Sequence, residues 1–128
     1  MTTLPTLGYD LLIPQGVDWP GINYPIFGAD GTVYNLSGCT ARAEIRPFPD
    51  HDELYFAWST TPTAGEGLIT LADGVLNIRV LAAESAGWTF TDASYDIVLT
   101  NPAAPVGLQR SRVAMGAVTV SRRVTVTT

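Results

Sequence analysis

The sequence contains no lysine and little charge of either sign. All seven basic residues are arginine, charged residues make up 15% of the 128 positions, and the formal net charge is −5. Proteins that bind nucleic acid present clustered lysine and arginine to the phosphates. This composition therefore predicts no nucleic-acid partner.

Long apolar runs are also absent. A membrane-spanning helix needs about 20 consecutive apolar residues, and the apolar runs here are only a few residues long. The opening MTTLPTLGYD has neither the basic segment nor the apolar stretch of a secretory signal. We expect no membrane partner and no secretory signal.

Reactive side chains are scarce. Cys39 is the single cysteine, which excludes an internal disulfide and a cysteine zinc cluster. We expect its thiol to be buried and inert, because the sequence indicates no general base that would activate it.

His51 is the single histidine, and acidic residues flank it. Such a loop either binds a cation or is simply solvated, and it has neither a second histidine nor the glycine and oxygen spacing of an EF-hand. The sequence also lacks a G-x-S-x-G elbow and a spacing that selects a carboxylate pair. We expect no metal, no cofactor and no enzyme activity.

The pattern that is present is alternation of apolar and polar residues, which is typical of half-buried strands. In Thr40–Arg46 the alanines and the isoleucine fall on one face and the charged residues on the other. Further strands are predicted at residues 9–13, 23–27, 33–36, 54–58, 68–71, 75–81, 94–100 and 110–120, with a last one at 124–127. Gly116 suggests a bulge or bend in the long strand 110–120.

Turn residues separate these strands. Asp30-Gly31 and Asp73-Gly74 predict hairpins, the second a tight type I′ turn. One short helical turn is predicted near residues 82–88. Many short strands with almost no helix predict an all-β fold, a single, mostly antiparallel sandwich or small barrel of about seven to nine strands over residues 1–128. Residues 1–7 and 120–128 are expected to form extended arms.

Two groups of side chains are candidates for contact with other molecules. Three tryptophans could form a platform for sugars or anchor the core and an interface. The charged face of Thr40–Arg46 could form ion pairs with another subunit or be a solvated face. The candidate interface residues are Trp19, Arg42, Glu44, Arg46, Arg79 and Trp88. The predicted loops 47–53, 60–67 and 101–107 are also candidate contacts.

The low charge and the absence of lysine have two explanations. Other subunits could cover much of the surface, since charged residues are depleted at the centre of interfaces and edge lysines that block strand addition are missing. Alternatively, the coding genome has a composition bias that replaces lysine with arginine. The bias explains the missing lysine better than it explains the low total charge.

The order of several motifs resembles one known type of protein. These motifs are Gly8-Tyr9-Asp10-Leu11, Gln15-Gly16, Asp30-Gly31, residues 36–46 (LSGCTARAEIR), 95–99 (YDIVL) and 110–120 (RSRVAMGAVTV), and Val124-Thr125. Together they are similar to small β-sandwich modules of tailed bacteriophages, namely the N-terminal domains of upper baseplate and tail-fibre-anchoring proteins.

The resemblance implies an immunoglobulin-like sandwich and a structural role in the virion. It implies a tail, baseplate, neck or fibre-adaptor protein that assembles with identical copies in a ring and with other virion proteins, after synthesis in the host cytoplasm. The alternatives are a β-sandwich module that binds a carbohydrate or receptor, and a capsid decoration protein.

Overall fold

The computed structural model describes residue 4 and residues 6–122. Nine strands and one short helix make up the regular structure of this part of the chain. The strands are β1 (Leu7–Gly8), β2 (Leu11–Pro14), β3 (Trp19–Pro25), β4 (Thr40–Arg46), β5 (Phe56–Ser59), β6 (Gly67–Ala72), β7 (Val75–Val80), β8 (Asp92–Thr100) and β9 (Arg110–Ser121), and the helix is α1 (Ala82–Ser85). The fold is all-β, as predicted, and no helix in the described residues is long enough or apolar enough to cross a bilayer.

The nine strands form one sheet that curls until it is nearly barrel-shaped. The order is β1-β9-β8-β4-β5-β6-β7-β3, with β2 also beside β9. Most neighbours are antiparallel, but β1 and β2 both run parallel to β9, and β5 runs parallel to β6. The sequence predicted a mostly antiparallel arrangement, and these three pairings are its parallel exceptions.

Alternation predicted β4 with the correct ends, and Ala41, Ala43 and Ile45 are buried as expected. It was wrong for Leu54, which is 43% exposed because β5 starts only at Phe56. The first strand was also expected to be continuous over residues 9–13, whereas β1 and β2 are separated at Tyr9 and Asp10.

The irregularity in β9 lies three residues before the position predicted for it. Ile97 pairs with Ala114 and Val98 pairs with Arg112, so Val113 is the extra residue of a bulge. Gly116 has a different role: a Cβ at this position would lie 2.1 Å from the carbonyl oxygen of Tyr9. The glycine allows the N-terminal segment to cross closely over β9.

The proline-containing strands lie at sheet edges, as predicted. β2 pairs only with β9, and β3 pairs only with β7, among the described residues. Asp73 and Gly74 both have positive φ (52° and 77°), which is the conformation of the predicted type I′ turn. The hairpin predicted around Asp30-Gly31 is reduced to a single bridge between Phe27 and Val33.

The directions of the strands divide the loops between two ends of the molecule. The lower end comprises loops 15–18, 47–55 and 81–91, and the upper end comprises loops 26–38, 60–66, 73–74 and 101–109. Leu7 and Val120 are paired in the sheet rather than in free arms, and the predicted strand at 124–127 lies outside the described residues.

The core fills the inside of the curled sheet. Its largest fully buried side chains include Trp58, Tyr24, Ile13, Ile45, Ile69, Leu76, Ile78, Ile97 and Leu99. The core thus receives side chains from almost every strand, including the short edge strand β2, and holds both sheet edges and the loops of both ends in place.

Candidate functional site

The charged residues of β4 are paired with one another rather than free for a partner. Arg42 Nε donates to Glu44 Oε2 at 2.8 Å, and Arg46 Nη2 donates to Glu44 Oε1 at 2.7 Å. Arg42 also contacts Glu66 at 2.9 Å. The charged face of β4 therefore forms ion pairs within the chain.

The titration of this cluster reflects the pairing. Burial opposes ionisation of Glu44, but hydrogen bonds and the charges of Arg42 and Arg46 outweigh it, so the pKa of Glu44 lies below its ordinary value. A hydrogen bond from the Thr63 backbone, followed by the interaction with Arg42, lowers the pKa of Glu66. With two arginines and two glutamates, the cluster has a formal net charge of zero.

A groove of about 220 Å³ lies beside this cluster, across β4, β8 and β9. Within the groove, Arg112 Nε contacts Asp96 Oδ2 at 3.2 Å. Asp96 lies directly opposite Glu44 in the sheet, and Arg112 neutralises its carboxylate. Phe48 (56% exposed) and Met115 (41% exposed) provide apolar walls. Sequence reasoning missed Asp96 and Arg112 because only the strand pairing brings them beside β4.

Loop 47–55 folds against the groove and is held by Arg46. Nη1 of Arg46 donates to the carbonyl oxygens of His51 (3.1 Å) and Asp52 (2.9 Å), and the Glu53 amide donates to His51 Nδ1 (3.0 Å). His51 therefore serves as an acceptor within its own loop. Within residues 4 and 6–122 no group of three or more histidine, cysteine or acidic side chains is placed to hold a metal ion.

The tryptophans do not form one exposed platform. Trp58 is fully buried and donates from Nε1 to the Arg79 carbonyl at 2.8 Å. Trp88, only 8% exposed, packs against Phe56, which leaves little of its ring for a partner, and Trp19 is half-buried against the core. The side chain of Arg79 is exposed on β7, apart from the cluster on β4.

The upper end presents a second, wider groove and an uncharged loop. The groove, about 510 Å³, is lined by residues that include Val33, Leu36, Leu71 and Asp73. Beside it, loop 101–109 is tied together by its own hydrogen bonds, which are Asn101 N to Gln109 O (2.7 Å), Ala104 N to Asn101 O (3.1 Å) and Leu108 N to Pro105 O (2.9 Å).

Val106 stands at the tip of this loop and is 94% exposed. The Asn101 side chain donates to the Tyr34 hydroxyl at 2.6 Å, and Tyr34 lines the groove. The loop and the groove are therefore fixed neighbours at one end of the molecule.

The two ends differ in charge. The lower-end loops carry five carboxylates, namely Asp18, Asp50, Asp52, Glu53 and Glu84. The upper-end loops carry three, and one of these, Glu66, is paired with Arg42. The upper end is thus the less repulsive surface for another acidic molecule.

Comparison with known proteins gives no family for this chain: no protein-family model matches it, and no curated protein sequence matches it.

Proposed function

We propose that this chain is a structural subunit of a tailed-bacteriophage virion, in the tail, baseplate, neck or a fibre adaptor, and that it acts by protein–protein assembly rather than by catalysis. The sequence resemblance suggests the virion, and an immunoglobulin-like sandwich is the specific architecture that it implies. The all-β fold and the surface support this proposal.

The observation that carries the proposal is the kind of surface the chain exposes. In the described part of the chain, ten large apolar side chains are substantially exposed, at both ends and on the sheet, among them Leu12 (64%), Val33 (65%) and Val106 (94%). The four ion pairs found among residues 4 and 6–122 all lie on or beside β4, β8 and β9. Charge is thus neutralised on this face of the sheet, while apolar groups are exposed there and at both ends and are available for contact.

A carbohydrate-binding module and a capsid decoration protein remain the alternatives. The burial of Trp58 and Trp88 weakens the first, because sugar stacking requires an exposed aromatic face. A capsid decoration protein would use the same apolar contacts, so the position of the chain in the particle distinguishes it from a tail subunit.

Deletion of the coding gene from the phage genome, with complementation, tests the proposal. We expect particles that lack the chain to show an incomplete tail or a loss of infectivity, restored when the gene is supplied in trans. Intact, fully infectious particles from the deletion strain would contradict the proposal.

A further inference from the structure

The upper end combines an uncharged loop, from which Val106 projects, with a groove whose mixed lining contains the apolar side chains of Val33, Leu36 and Leu71. When a projecting loop and a groove lie side by side, two copies related by a twofold axis can each insert the loop into the groove of the other. The geometry points to a second copy of this chain as the occupant of the groove: we propose that two chains associate through their upper ends, with Val106 of each in the Val33–Leu71 groove of its partner. This proposal deepens the assembly function proposed above and rests on it.

Each side of the proposed contact contains exposed apolar groups. Val106 is 94% exposed at the tip of a loop without charged residues, and the groove offers Val33 (65% exposed), half-buried Leu71 and the edge of Leu36. The hydrogen bonds that fix loop 101–109 mean that little conformational entropy is lost when it docks.

The charges are complementary as well. Arg110 follows the loop directly, is exposed, and forms no ion pair with any other described residue. Asp73 lies at the rim of the groove and is likewise unpaired within residues 4 and 6–122. When the loop of one copy enters the groove of another, Arg110 approaches Asp73, and the twofold symmetry repeats this pair.

Charge also favours the upper end over the lower end for contact between identical chains. Two lower ends would bring together ten carboxylates from their loops, since each contributes five. Like charges in close contact oppose association, whereas the upper ends bring an arginine to each unpaired Asp73.

Sedimentation velocity of the full 128-residue chain, from about 1 μM to about 500 μM, is the first test. We expect a reversible dimer. Val106→Asp is expected to raise the dimer dissociation constant about 100-fold, because two buried valines are lost. The matched control is Val17→Asp, which places the same charge on an exposed valine (51%) of the lower end and should leave the dimer unchanged.

Two further variants test the charge pair. Arg110→Asp should weaken the dimer about 10-fold, and Asp73→Asn, which suits the positive φ, should weaken it less. Arg79→Asp, an exposed arginine outside the upper end, is the control and should have no effect.

Mixed single-cysteine variants test the geometry directly. In a Cys39→Ser background, an oxidised mixture of Val33→Cys and Val106→Cys chains should form a disulfide between the two, and a mixture of Val17→Cys and Val106→Cys chains should not. A wild-type chain that stays monomeric throughout the concentration range, or a dimer that Val106→Asp leaves intact, would overturn the proposal. The gene-deletion experiment is independent of these results, so a monomeric chain that is essential for the tail would contradict only the dimer.

Discussion

Gly116 is the residue at which a single methyl group has the clearest consequence. A Cβ there would lie 2.1 Å from the backbone oxygen of Tyr9. A clash with backbone cannot be relieved by a change of rotamer, as a clash with a flexible side chain can. We predict that Gly116→Ala lowers the free energy of unfolding by about 2 kcal/mol, measured by urea denaturation. Gly8→Ala, where a Cβ meets nothing within 4 Å, should change it by less than about 0.5 kcal/mol. Equal effects of the two substitutions would contradict this assignment.

Tyr24 and Tyr95 form a buried hydroxyl pair that links β3 to the N-terminal segment. The Tyr95 hydroxyl donates to the Tyr9 carbonyl at 2.6 Å, so Tyr24 supplies the proton of the 2.8 Å contact between the two hydroxyls. Burial is the main cause that raises the pKa of Tyr95 to about 12, and it also raises the pKa of Tyr24 above its ordinary value.

This pair predicts a loss of stability in alkali. An unfolded tyrosine ionises near pH 10, whereas the folded chain keeps these protons, so the free energy of unfolding should be unaffected below about pH 10 and fall as the pH rises towards 12. Urea denaturation between pH 8 and about pH 11 measures this fall. Tyr24→Phe should reduce the fall, and a wild-type stability that is constant up to about pH 11 would contradict the burial of the pair.

Among the elements, loop 47–55 depends on the last side chain of β4. Arg46 donates to two carbonyl groups of the loop, and lysine cannot reproduce a planar fork that also contacts Glu44. We predict that Arg46→Lys accelerates amide hydrogen exchange at His51 and Glu53 about 10-fold. Arg42→Lys, which alters the same ion cluster without contacting the loop, is the control. Unchanged exchange in Arg46→Lys would show that the loop is held by other contacts.

The elements that the sequence predicted well are those whose burial alternates locally. Thr40–Arg46 had the correct ends because each residue faces either the core or the solvent in strict succession. Leu54 was wrongly predicted to be buried in a strand, because an apolar residue at this position continues the alternation of Phe56 and Trp58. The strand itself begins only at Phe56. The parallel pairings of β1 and β2 with β9 could not be predicted, because they join residues about 107 positions apart and leave no local pattern.

The candidate site was predictable to a similar degree. Arg42, Glu44 and Arg46 were placed on one outward face by alternation alone. The position of their partner Glu66 depends on the path of loop 60–66, and the position of the pair Asp96–Arg112 depends on the order of the strands. Alternation within one strand predicts neither. The exposure of Val106 depends on the fold of a whole loop, so the sequence indicated loop 101–107 as a contact but not which side chain projects.

For the molecule as a whole, the burial of the tryptophan side chains favours assembly over sugar binding as the proposed function. Trp58 and Trp88 are buried and Trp19 is half-buried. We predict that acrylamide quenches only a minor part of the tryptophan fluorescence, that Trp19→Phe removes most of that part, and that added mono- and oligosaccharides leave the emission unchanged. Saturable quenching by a sugar would favour the carbohydrate-binding alternative instead.

The distribution of charge is the property of the whole molecule that an assembly would use. The ion pairs concentrate on one face of the sheet, the lower end is acidic, and the upper end presents an uncharged loop beside a groove of mixed polarity. Such a chain can meet an identical copy at one end and a basic neighbour at the other without burying an unpaired charge.

The most direct measurement is a cryo-electron-microscopy reconstruction of the tailed-phage particles that we propose contain the chain, purified from its source. We expect density for several symmetry-related copies of this nine-stranded domain in the tail, baseplate, neck or fibre attachment. Val106 and the other exposed apolar side chains should be covered by neighbouring subunits. Well-resolved particles that contain no density for the domain, while the chain accumulates free in infected cells, would contradict the proposal.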